Sequence, residues 1–324
     1  MKNLLRGVAA TVAASAVMAA LAAVALALLD LPLALAPTVL TAALGGPVTL
    51  TGTVDTGFIP VALQGTVDIL PLGIAAPGVV VFVVVLAGKD LLLRAAGAVG
   101  TAAVFLAVLS TADGTTVDVP LPTGPAGLTV QPGSAVLPGL LVVVGVAAAC
   151  VVVSRLPYRR TILVTTLVAP SVPVVIGLIV AVVAATREPA LGGVALLFGA
   201  NAVLVGSPSM EGPLGGDWFA APSGLRIVAI VLFVVVVAVV VKPSRTNTVV
   251  ASVSLASALA LTALLASGDI SLAVFHIPLL AVRLEPGIGW ALLTGALAGA
   301  AGSLTADVRW RAQQRLLRRI RAYG

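Results

Sequence analysis

AVLPGLLVVVGVAAACVVVSRLPYRRTILVTTLVAPSVPVVIGLIVAVVAATRE, residues 135–188, holds the pattern that decides the fold. Two apolar runs, 135–153 and 161–185, carry no acid and no base. Between them the chain turns through 154–160, which holds Arg155, Arg159 and Arg160. A transmembrane helix needs about 20 apolar residues. Short connections rich in Arg and Lys mark the cytoplasmic side of a membrane protein. The stretch therefore reads as a helical hairpin that crosses a bilayer twice and turns on its inner face.

The same signature extends in both directions. Further apolar runs lie at 7–29, 72–88, 95–111, 225–241, 247–267 and 287–305, giving eight predicted spans. The chain is 60% hydrophobic and 9% charged, against roughly 25% charged in soluble domains. The run at 7–29 exceeds the ~7–15 residues of a signal-peptide core and reads as an uncleaved first span. Both termini are then cytoplasmic. The inner segments 1–6, 89–94, 154–160, 242–246 and 306–324 hold 15 of the 18 cations, and Asp90 and Asp307 are their only acids. The net charge of +6 is thus positive-inside anchoring rather than a nucleic-acid footprint, and no nucleic-acid partner is expected.

A ninth apolar run, 190–206, is rich in Gly and interrupted by Asn201. If it crossed the membrane, Lys242 and Arg245 would fall outside. We therefore read it as re-entrant or interfacial, since irregular backbone at membrane depth is tolerated only where protein or a water-filled cavity surrounds it.

The outer segments alternate apolar and polar residues. Val48, Leu50, Gly52 and Val54 interleave with Thr49, Thr51, Thr53 and Asp55, and Val61 to Ile69 interleave with Gln64, Thr66 and Asp68. The period recurs at 117–121, 270–274 and 282–284, with a turn expected at Asp55–Thr56–Gly57. Such alternation marks half-buried strands. Isolated strands leave unpaired edges, so these pieces should join into one sheet. Pro/Gly junctions at Pro71–Leu72–Gly73, Pro132–Gly133, Pro222–Ser223–Gly224 and Pro286–Gly287 hint at a repeated helix–outer segment–helix unit. The fold class is an all-α polytopic membrane protein with about eight transmembrane helices, one re-entrant or interfacial segment and a small strand-rich extracytoplasmic cap. Residues 1–306 form the integral membrane domain and 307–324 a cytoplasmic basic amphipathic tail.

Candidate chemistry is sparse. No predicted span holds an ionisable side chain near its centre, which argues against a proton relay or charge-paired transporter. The lone cysteine, Cys150, allows no disulfide within the chain and no cysteine-based metal site. His276 is the sole histidine, and no G-x-S-x-G elbow accompanies it. We expect no catalytic residues, no metal and no cofactor, and read the chain as not an enzyme. An enzyme would instead gather His276 with outer acids such as Asp68, Asp118 or Asp269. Three residues could shape a cavity or hinge. Pro170 and Pro173 interrupt the fifth span, as a hinge or as a simple bend. Asn201 either lines a cavity or ties its segment to its neighbours. Gly295 and Gly299 form a GxxxG that reads as close helix packing. Six arginines accompany Trp310, Leu316, Leu317 and Ile320 in the tail, which reads as an amphipathic helix on anionic inner-leaflet lipids.

Three blocks carry a family resemblance: Gly65 to Gly73 (GTVDILPLG), Leu196 to Asn201 (LLFGAN) followed by a Gly/Pro-rich loop with Trp218, and Gly289 to Leu292 (GWAL) leading into Ala298 to Leu304 (AGAAGSL). In order and spacing the chain resembles the streptophobe family of actinobacterial polytopic membrane proteins. It departs at Ala200, where such proteins often place Pro before the Asn. The resemblance implies a plasma-membrane location and no particular activity. The expected function is a non-enzymatic scaffold or partner subunit of the cell envelope, whose partners are the bilayer and an envelope protein. The competing expectation is a permease or flippase for an apolar or lipid-like substrate.

Overall fold

The computed structural model describes residues 1–55, 60–88, 90–121, 124–205, 209–211, 223–242, 244–274 and 277–323. In lipid every backbone amide must be paired within its own segment, so apolar sequence winds into helix. The described helices are α1 Lys2–Leu28, α2 Ala36–Ala43, α3 Leu72–Leu86, α4 Leu91–Leu109, α5 Val136–Ser154, α6 Arg159–Ala185, α7 Pro189–Val205, α8 Ser223–Val240, α9 Arg245–Ala266 and α10 Ile288–Tyr323. Six of these (α1, α4, α5, α6, α9 and α10) are long and apolar enough to cross a membrane. The chain is a multi-pass helical membrane protein. The shorter apolar helices are α2 with its preceding turn, α3, α7 and α8. At ~1.5 Å per residue, the 15 residues of α3 rise about 22 Å, short of a ~30 Å hydrocarbon core.

Seven strands occur among the described residues: β1 Val48–Asp55, β2 Pro60–Ile69, β3 Thr115–Leu121, β4 Gly124–Pro132, β5 Ser209–Glu211, β6 Gly268–Val274 and β7 Ile277–Leu284. They form one sheet in the order β3-β4-β1-β2-β6-β7-β5, antiparallel at every pair. Alternation sets its two faces. Val48, Leu63, Ile69, Val117, Val282 and Leu284 are buried, while Thr49, Thr51, Thr53, Gln64, Thr66 and Gln131 are exposed. A helix–strand pair–helix unit appears three times, as α1/β1-β2/α3, α4/β3-β4/α5 and α9/β6-β7/α10. In the fourth, α7 and the short β5 stand between α6 and α8. The expected strands are present. In addition α2, β4 and β5 form where no element was expected. Thr56 and Gly57 of the expected turn at Asp55–Thr56–Gly57, and the residues His276, Trp218 and Pro222, lie outside the described residues.

All strand-bearing connections lie at one end of the bundle. The short connections meet at the other end, stitched together by polar contacts. Asn3 Nδ2 donates to Asp90 Oδ2 at 2.8 Å, Asn247 Nδ2 to the Lys242 carbonyl at 3.0 Å, and Arg309 Nη2 to the Val239 carbonyl at 3.3 Å.

Residues 189–205, expected as a re-entrant or interfacial segment, form a single uninterrupted helix, α7. α7 meets the sheet-side ends of α1, α3 and α9 and the second half of α6. A Cβ on Gly193 would meet Leu29 and the Ala25 carbonyl, and one on Gly73 would collide with the Leu196 carbonyl oxygen. Small residues let α7 pack antiparallel on the second half of α6, so the segment pairs its backbone as helix and needs no turn. The expected tail continues α10, which runs unbroken through 306 and 307 to Tyr323.

The GxxxG of α10 is a contact, as expected. A Cβ on Gly295 would come 2.4 Å from Ala256 Cα, and one on Gly299 2.6 Å from Ser252 Cα. The backbones of α9 and α10 thus touch directly, which is how membrane helices gain packing without a hydrophobic driving force between them.

Candidate functional site

Asn201 sits on α7 with no exposed surface. Its Nδ2 donates to the Leu70 carbonyl at 2.8 Å and to the Ala266 carbonyl at 3.0 Å, and its Oδ1 accepts from the Leu72 amide at 3.0 Å. Leu72 opens α3, and the first amides of a helix have no partner within it. Ala266 closes α9, whose last carbonyls are likewise unpaired. One amide side chain therefore satisfies the foot of β2, the start of α3 and the end of α9. It is a clamp, with both of its donor hydrogens committed.

Pro170 and Pro173 lie within a helix that stays continuous from Arg159 to Ala185. Pro173 is fully buried and Pro170 half-buried. Ser171 turns its hydroxyl to the Leu167 carbonyl at 2.6 Å, one of the carbonyls near the proline step. The Asn201 clamp belongs to the sheet seam, and the two prolines belong to the body of α6.

The polar face of the sheet brings together residues far apart in sequence. Register places Gln131, Thr49, Thr66 and Ser271 in one row, and Thr116, Thr129, Thr51 and Gln64 in another. Thr66 and Ser271 hydroxyls are 2.9 Å apart. A third row sets Asp68 beside Asp269 and Asp269 beside Arg283, and Arg283 Nε lies 3.6 Å from Asp269 Oδ1. Asp118 is on β3, paired with Gly127. Three strand spacings of ~4.8 Å and six residues of ~3.3 Å separate it from Asp68, roughly 25 Å in all. Among the described residues no three His, Cys, Asp or Glu groups gather as a metal site.

Two features escaped the sequence reading. The first is Arg94, assigned there to an inner loop. It lies in the first turn of α4, is 3% exposed, and its Nη1 donates to the Ala87 carbonyl at 2.7 Å and the Leu86 carbonyl at 3.3 Å. A cation at those carbonyls faces the negative end of the α3 macrodipole. Its Nε has no partner among the described residues. The second is the stand-off of α5. That helix buries just Gly139, Ala147 and Cys150. Beneath it lie two recesses. One of about 60 Å³ is lined by Met18, Val79, Phe82, Val143 and Val146 among others. The other, of about 350 Å³, is lined by Val83, Ala87, Gly88, Leu91, Cys150, Ser154, Arg159 and Leu163.

The chain matches no family model, no curated protein and no solved structure.

Proposed function

We propose that this is a plasma-membrane protein with α1, α3 to α6 and α8 to α10 as its eight spans. In this reading α7 lies at the outer interface, the sheet caps the extracytoplasmic side, and both termini are cytoplasmic. The charge distribution supports the orientation: 15 of 18 cations fall in segments at the end away from the sheet, the side that faces the cytoplasm under the positive-inside rule. Likeness to the streptophobe family rests on the three sequence blocks and carries no activity with it.

Its function in this reading is non-enzymatic: a scaffold or partner subunit of the cell envelope that presents the polar face of the sheet to a protein partner. The observation that carries it is the exposed array of Thr49, Thr51, Thr53, Gln64, Thr66 and Gln131 on a sheet whose other face packs on the bundle. Six strand spacings by about 25 Å of strand make roughly 700 Å², close to the ~800 Å² that one partner contributes to a standard interface. A photoreactive residue at Thr51 or Thr66, activated in native membranes, should yield one discrete protein adduct. The adduct should vanish when Gln64→Arg is added and should be absent with the same group at Tyr158. Adducts from Tyr158 and Thr51 that are identical, or no protein adduct from the sheet face, would remove the reading.

A permease or flippase for an apolar or lipid-like substrate is the second reading, favoured by the recesses beneath α5. It requires movement between helices that Asn201 ties together. Lipid analysis of the cross-linked material separates the two: lipid adducts without any protein adduct support the carrier.

A further inference from the structure

The two recesses beneath α5 lie end to end. The smaller is lined by Val79 and Phe82 of α3 and by Val142, Val143 and Val146 of α5. The larger is lined by the next turns of the same helices, Val83 and Ala87 of α3 and Cys150 and Ser154 of α5, and is closed by Arg159 and Leu163 of α6. They follow one another along α3 and α5, the larger at the end of the bundle away from the sheet and the smaller nearer its middle, with Phe82, Val83, Ala147 and Cys150 packed between them. The lining changes character along the bundle, from a cationic mouth to an apolar interior. At about 350 Å³ the mouth falls within the ~300–1,000 Å³ of small-molecule sites.

Charge decides what fits the mouth. Arg159 is exposed, and its guanidinium makes no hydrogen bond or ion pair with the described residues. Arg155 and Arg160 flank it. Two acids belong to this end, and both are engaged: Asp90 accepts from Asn3, and Asp307 pairs with Arg311. Ser154 sends its hydroxyl proton to the Val151 carbonyl at 2.7 Å, so it offers the mouth an acceptor and no donor. Among the described lining residues the side-chain donor at the mouth is Arg159, whose fork matches a phosphate or carboxylate oxygen pair. We propose that the larger recess binds an anionic phospholipid of the leaflet at that end, with its phosphate on Arg159 and one acyl chain lying under α5 against Val83 and Cys150. Basic recesses between helices on the cytoplasmic side are suited to acidic lipid headgroups. Headgroup at the mouth and chain toward the middle is also the direction in which a lipid of that leaflet stands.

The test uses the full chain, stripped of lipid in detergent and reloaded with equal amounts of phosphatidylglycerol and phosphatidylcholine bearing identical acyl chains. Retained lipid is counted by native mass spectrometry. The wild type should keep phosphatidylglycerol over phosphatidylcholine by about fivefold or more, the factor expected for one cation near an anionic headgroup. Arg159→Gln should bring the ratio near one. Arg155→Gln, on the same connection but outside the recess lining, should leave it unchanged. Ala87→Phe, which fills the mouth, should lower retention of both lipids. Equal retention of the two lipids by the wild type overturns the proposal. So does an Arg155→Gln loss as large as that of Arg159→Gln, since surface charge alone would then explain the preference. If Ala87→Phe fails to purify as a single species, the two arginine variants still decide.

Discussion

Replacing Asn201 with Leu keeps the branched shape of the side chain and removes its three hydrogen bonds, to Leu70, Leu72 and Ala266. Two measures bound the cost. Polar contacts between membrane helices average about 0.6 kcal/mol each, so three give a floor near 2 kcal/mol. Buried backbone groups left without any partner cost ~1–3 kcal/mol each. The Leu72 amide has no acceptor within α3, and the residue is 4% exposed, so water does not replace the lost bond. The Ala266 and Leu70 carbonyls have two lone pairs each and suffer less. We expect about 2–5 kcal/mol for Asn201→Leu. Asn201→Asp should cost at least as much, because its second oxygen would face two carbonyl oxygens and could donate to one at most. The assay is reversible unfolding in mixed micelles, combined with hydrogen exchange resolved to the Leu72 amide. The stability loss should come with faster exchange at Leu72 and at residues 268–270. An Asn201→Leu protein that unfolds like the wild type with Leu72 still protected would refute the clamp.

Three further outcomes follow from the same geometry. Gly295→Ala and Gly299→Ala should each lose ~1–3 kcal/mol in the same unfolding assay through overpacking against Ala256 and Ser252. Gly289→Ala, which meets nothing within 4 Å, should be close to neutral; equal effects at all three positions would refute the contact. Arg94→Met should destabilise by ~1–3 kcal/mol and speed exchange at 82–87, because two carbonyls at the end of α3 lose a charged donor; unchanged exchange there would show that Arg94 caps nothing. In a chain carrying Cys150→Ala, an impermeant thiol reagent should label Thr51→Cys from outside intact cells and Ser244→Cys only after permeabilisation, and labelling of position 244 from outside would overturn the proposed orientation.

The helices and strands were legible because each follows a local rule. Apolar length marks α1, α4, α5, α6, α9 and α10. A two-residue period marks β1, β2, β3, β6 and β7. The elements that were missed break their rule locally. β4 holds Pro125, Gly127 and Pro132, which break up its apolar alternation and leave too short a run to stand out. β5 is three residues long and exists because β7 offers it an edge. Arg94 carries the charge that marks an inner connection, although Leu91, Leu92 and Leu93 ahead of it already belong to the helix. Asn201 stood out as a polar residue in an apolar run, but its partners are 131 and 65 residues away. Nothing local distinguishes an amide that lines a cavity from one that closes a seam. The recesses were hidden for a related reason: they are a property of how far α5 stands from α3, and the apolar pattern of α5 is the same whether its neighbour is protein or lipid.

Asn201 also bears on what the molecule can do. The sheet order places β1 to β4 on one side and β5 to β7 on the other, with β2 against β6 as the junction between the two groups. Seven register pairs, Leu63 with Val274 through Ile69 with Gly268, make that junction. Leu70 follows β2 directly and Ala266 comes two residues before β6, so the clamp grips both strands at their feet. It does so from α7, which belongs to neither strand pair and lies across the ends of α1, α3 and α9. A carrier that works by rocking one half of its bundle against the other would have to break this junction or rotate as one body with it. Breaking it costs the inter-strand bonds and the three bonds of Asn201 in the same movement, with no water at the clamp to replace them. The junction therefore ties the two groups of helices together at the sheet side, through the β2–β6 ladder and the three bonds of Asn201.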